Sequence, residues 1–106
     1  MDLSYILHIL IALFFFTLGL CLSQVSVIQF NSEWNADNNF DISLLEDCEV
    51  LTIIICDYPE LQKKYGIKYV PTIIVFNDSI EIIRFEANIM MKLKTTKEEI
   101  QEEIDK

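Results

Sequence analysis

Residues 70–87, VPTIIVFNDSIEIIRFEA, commit this chain to a β-hairpin. Two runs rich in Ile, Val and Phe flank Asn77-Asp78-Ser79, residue types that favour tight turns. Pro71 opens the first run, where its missing N–H is tolerated; in mid-strand it would break a ladder bond. A two-stranded hairpin alone is marginal in water. The remaining residues must therefore give it further strands and cover its faces.

Two more runs read as strands. VSVIQF, residues 25–30, is short, apolar and β-branched, and EVLTIIIC, residues 49–56, is similar. Ile53, Ile54 and Ile55 do not alternate with polar residues, which predicts burial on both faces, as in parallel sheets. Between the two runs, Phe40, Leu44 and Leu45 have helical spacing and predict a short helix from Asp37 to Glu46. DYPELQKKYG, residues 57–66, predicts a second helix with Pro59 in its first turn and Gly66 just past its end. TKEEIQEEIDK, residues 96–106, predicts the last, with Thr96 and Glu99 as a capping box. The order is βαβ, α, ββα. The first pair should be parallel and the hairpin antiparallel. The fold class is therefore α/β, with a mixed four-stranded sheet flanked by helices.

Residues 3–22 are almost wholly apolar and stand apart from this domain. Cys21 and Ser23 are small residues two apart, so residues 1–23 are expected to be a signal peptide cut before Gln24. The segment lacks a basic front end, and an uncleaved anchor is the alternative; the membrane is a partner only in that case. Loss of Asp2 with the leader moves the formal charge from −9 to −8. No Lys or Arg precedes Lys63, and an acidic surface of this kind excludes phosphate backbones, so no nucleic-acid partner is expected. His8 lies in the leader, which removes histidine catalysis and most zinc sites. Asn35 to Glu46 mimics a calcium loop in its oxygen spacing but has Phe40 where the sharp turn needs glycine. No metal and no cofactor are expected. Cys48 and Cys56 bracket a strand whose ends lie roughly 25 Å apart, beyond the reach of a disulfide.

GIKYVPTIIVF, residues 66–76, resembles the thioredoxin family, in which Gly-Ile and a short loop lead through Pro-Thr into a buried strand. DYPELQKKYGI before it, and RFEA and TKEEIQEEI after it, are similar to neighbouring family elements. The resemblance spans Val25 to Lys106, while the family's preceding strand and helix have no counterpart after the leader. It implies a cis bond between Val70 and Pro71. Family strands of this type end in Phe-x-x-x-Trp before a Cys-x-x-Cys redox pair. Phe30 and Trp34 fit, and the two cysteine positions fall on Asn35 and Asn38. An asparagine amide cannot become a thiolate or attack a disulfide. The family's buried carboxylate falls on Gln29, which cannot shuttle a proton.

The resemblance thus implies a redox-inactive relative of disulfide-isomerase domains in the secretory pathway, in the endoplasmic reticulum lumen or secreted, that binds protein or peptide clients. Trp34, Val70 and Pro71 are the candidate peptide-binding residues; alternatively, Trp34 only packs the loop and Pro71 only shapes it. Residual thiol–disulfide exchange through Cys56 or Cys48 is a rival function, with Cys56 expected as a small buried residue unless reactive. A third reading is a structural subunit. With the family's first strand missing, strand 49–56 becomes a sheet edge, where a homodimer or another partner would pair. Asn77-Asp78-Ser79 is also a glycosylation sequon, placed in an exposed turn.

Overall fold

The computed structural model describes residues 24–106; the leader and its alternative as an anchor fall on residues 1–23, outside the described residues. Strand β1 (Val25–Asn31) alternates its side chains between two cores. Ile28 and Phe30 point to one face, Val25 and Val27 to the other. β2 (Glu49–Ile54) runs parallel to β1, and β3 (Thr72–Asn77) pairs antiparallel on its other side. β4 (Ile80–Glu86) closes the hairpin, giving the order β2-β1-β3-β4. The mixed four-stranded sheet expected from the sequence is present.

Helix α1 (Pro59–Lys64) covers the Phe30 face through Leu61, and Ile67 packs beside it. The Tyr65 ring sits 5.5 Å from Phe30 and 5.9 Å from Phe76, centroid to centroid. α1 stops by a Schellman motif: Ile67 N donates to Gln62 O and Gly66 N to Lys63 O, with Gly66 at φ +61. Arg84 of β4 reaches across to this helix end, donating to Tyr65 O at 2.9 Å while paired with Glu81. Helix α2 (Lys97–Asp105) covers the opposite face through Ile100 and Ile104. Its Thr96 cap accepts from Glu99 N; the Glu99 carboxylate returns to the Thr95 and Thr96 hydroxyls rather than to the backbone.

Four local expectations are corrected. Residues 37–46 form no α-helix: a 3₁₀ turn at Glu33–Asn38 is followed by extended and turn backbone. The cause is Gln29, whose side chain donates to Phe40 O (2.9 Å) and accepts from Phe40 N (2.7 Å). Both backbone groups of Phe40 are thereby taken from any helical ladder. The second strand ends at Ile54, because Ile55–Asp57 turns as a 3₁₀ helix, and Cys56 emerges exposed rather than buried. β2 is buried only around Ile53, because it lies at the sheet edge and not within the sheet. Asn77 is the half-buried last residue of β3, not part of an exposed turn. The turn is Asp78-Ser79 alone, both at positive φ, as a two-residue primed turn requires.

A Cβ on Gly66 would meet no atom within 4 Å, so its substitution tests backbone conformation by itself. Gly66→Ala is expected to lower the unfolding free energy by about 1 kcal/mol in urea titrations, with the denaturant slope unchanged.

Candidate functional site

The sequence candidates meet where β1, the Glu33–Asn38 turn and the Val70–Pro71 loop converge. The Val70–Pro71 bond is cis. Thr72 secures the loop by donating its hydroxyl to Tyr69 O at 2.6 Å. Pro71 therefore sits fully buried at the mouth of β3, beside the buried Val70.

Asn35 organises the site. It is 4% exposed, and its Nδ2 shares two hydrogens among Asn31 Oδ1 (3.1 Å), Val70 O (3.2 Å) and Met91 O (3.3 Å). Its Oδ1 accepts from Asn38 Nδ2 at 2.7 Å, and its own carbonyl accepts from Asn31 Nδ2 at 3.1 Å. Asn31 also donates to Asn39 Oδ1. Four asparagines thus form one closed amide network in which each buried group has a partner, as burial demands. Through Met91, held at φ +60, the network also fixes the Asn88–Lys92 loop. Asn31 was not singled out from the sequence. The signal was available in its register, two residues past Gln29 on the same face of β1 and four before Asn35.

Trp34 is the consequence of that burial. With Asn35 turned inward, its neighbour projects outward and is 67% exposed. Trp34 does not pack the loop. It lines an open groove of about 320 Å³ with Cys56, Ile67, Lys68, Val70 and Met91. Pro71 is fully buried and shapes the groove from beneath. Gln29, also buried, lies on the other face of the sheet with Phe40 and Thr52, not in the groove.

The two thiols differ. Cys56 is exposed on the groove wall. Cys48 is half-buried at the far end of β2, where burial above all, and then Glu49, Asp47 and Asp105, push its thiol up to about 11. Among the described residues no group of His, Cys, Asp or Glu could hold a metal ion, and no helix is long and apolar enough to cross a membrane. Asn77 Oδ1 is buried without a hydrogen-bond partner at the end of β3.

Three outcomes follow from this geometry. Asn35→Ala strands the Val70 and Met91 carbonyls and should cost about 1–3 kcal/mol in denaturant unfolding. At about pH 8 iodoacetamide should alkylate Cys56 and spare Cys48, by peptide mass, since only a thiolate reacts. The raised Cys48 thiol favours the protonated form in the fold, so its contribution to stability is lost as pH climbs from 9.0 towards about 11.

No protein-family model matches the sequence, and no curated protein matches it. Solved structures do. A thioredoxin-2, described as a component of malaria parasite protein secretion machinery, aligns at TM-score 0.64 and 16% identity over 79% of this chain and 84% of its own. The Schistosoma mansoni thioredoxin aligns at 0.62 and 15% over 84% and 82%. The Nicotiana alata thioredoxin aligns at 0.57 and 16% over 88% and 80%. At such identities the likeness is one of backbone alone. The chain has a thioredoxin-like fold.

Proposed function

We propose that this protein is a redox-inactive thioredoxin-like binder of extended, apolar peptide segments, working in the secretory pathway. The observation that carries the reading is Asn35. It occupies the position the resemblance gives to the attacking cysteine, and it is locked by hydrogen bonds to both flanking loops. A redox protein needs a partly exposed thiolate here, whereas this side chain is a buried, hydrogen-bonded amide. The groove beside it remains open, walled by Trp34, Val70 and the adaptable Met91. Val70 O already accepts one bond from Asn35, so a client pairing with this loop would rely on its second lone pair or on side-chain contact. Secretory placement is supported by the apolar leader pattern.

A second reading has one specific observation in its favour. Cys56 is exposed on the same groove wall as Trp34. A single thiol there could form a mixed disulfide with a client, but release would need a second thiol. Cys48, at the other end of β2, is not placed to supply it.

The sole tryptophan lines the groove, so its emission reports occupancy. A reduced, carboxymethylated unfolded protein is expected to shift Trp34 emission to shorter wavelength and saturate it, and Val70→Lys is expected to abolish the shift. In insulin reduction by dithiothreitol, turnover should not exceed that of a Cys48→Ser/Cys56→Ser variant. Turnover that this variant loses sinks the redox-inactive reading, and an unchanged emission spectrum sinks the peptide-binding one.

A further inference from the structure

We propose that the free edge of β2 takes an extended segment of another protein as a fifth strand, one that is apolar at alternate positions and carries Lys or Arg near its ends. Among the described residues β2 pairs with β1 alone. Alternate residues of an edge strand turn their N–H and C=O outward, where another chain can meet them. Edge strands are ordinarily guarded by a lysine, a proline, a bulge or a very short span. β2 has six residues, EVLTII, with no Lys or Pro, and its register with β1 is unbroken from Glu49 to Ile54. Val50 and Leu51, on opposite faces of the strand, are 40% and 41% exposed.

Charge selects the occupant. Asp47 and Glu49 stand at one end of the edge, Asp57 closes the 3₁₀ turn that follows the other, and no Lys or Arg lies between Gln24 and Gln62. A groove of about 250 Å³ runs beside the edge, lined by Phe40, Ser43, Val50 and Thr52 with Asp41 on its wall. Hydrogen bonds from the Ser43 hydroxyl and backbone hold the Asp41 carboxyl below its ordinary value, so this wall stays anionic. The same charges disfavour a second copy of this chain. A second copy would bring the same uncompensated acids and no Lys or Arg to the seam, and like charge gathered there disfavours self-association. A basic-ended strand meets both acidic ends and lays an apolar side chain against Val50 or Leu51.

The test uses the full chain and fluorescent peptides of defined sequence, KVTVTVTK, EVTVTVTE and KVTPTVTK. Anisotropy is expected to show saturable binding of the first, weakened by added salt, at least about tenfold weaker binding of the second, and loss of the third. Leu51→Lys, which installs an edge guard, is expected to abolish binding. Asp47→Asn/Glu49→Gln is expected to remove the preference for lysine ends, with circular dichroism unchanged in both variants. Equal binding of the Lys-ended and Glu-ended peptides overturns the proposal. So does the absence of binding by a folded chain, including occupation of the edge by residues 1–23. A concentration-dependent dimer that Leu51→Lys dissolves would assign the edge to self-pairing instead. Trp34 lies off this edge, so failure here leaves the reading of its groove intact.

Discussion

The amide of Gln29 holds both backbone groups of Phe40, and much of the molecule follows from that pair of bonds. The segment between β1 and β2 has few apolar residues and no α-helix, only the 3₁₀ turn at Glu33–Asn38. Without an anchor it would be a long loop with unpartnered buried peptide groups, which is costly. The two-point bond makes Phe40 behave as though it were paired in a sheet. It brings Ile42 and Leu45 onto the core beneath α2 and sets the start of the wall beside Val50. A carboxylate at this position could accept from Phe40 N, but when ionised it could not donate to Phe40 O. Glutamine does both, and so exchanges a proton-transfer group for a structural one.

The asparagine network at the other side of the turn works in the same manner. Gln29 and Asn31 follow each other on one face of β1, and each reaches forward to fix a different part of the following segment. Asn35 then joins that segment to two loops remote in sequence, at Val70 and Met91. Neutral amides are well suited to this. Each donates and accepts, none carries a charge to desolvate, and a closed set leaves nothing unpaired. The outcome is a rigid platform whose exposed feature is one indole.

The sequence was most legible where chain-local chemistry decides the structure. The hairpin, the Thr96 cap and the Gly66 stop were visible, since each rests on residues within a few positions of one another, and the family resemblance supplied the cis bond before Pro71. It was least legible where a distant side chain overrides local preference. Phe40, Leu44 and Leu45 have helical spacing, yet a glutamine eleven residues upstream of Phe40 cancels the helix. The run of isoleucines after Thr52 suggested burial on both faces, but Ile54 is the half-buried last residue of β2 and Ile55 opens a 3₁₀ corner. Cys56 followed from that error, since one turn of 3₁₀ helix rotates it from the core to the groove. The fold brings Trp34, Asn35, Asn38, Val70 and Pro71 to one corner of the molecule. Their division into scaffold and surface depended on which of Trp34 and Asn35 turned inward, and that is set by partners from three separate segments.

The uneven placement of charge has a consequence for orientation. The eight acids from Glu33 to Glu60 have no cation among them, whereas residues from Lys63 onward carry eight bases and eight acids. The whole net charge of the domain therefore resides in the half built from β1, β2 and the turn between them. Beside an anionic lipid surface such a body experiences a torque. The bases gather at the end of α1, in Lys63, Lys64 and Lys68, and at Lys92, Lys94 and Lys97, so those segments, and not the acid-rich body of α2, turn towards the headgroups.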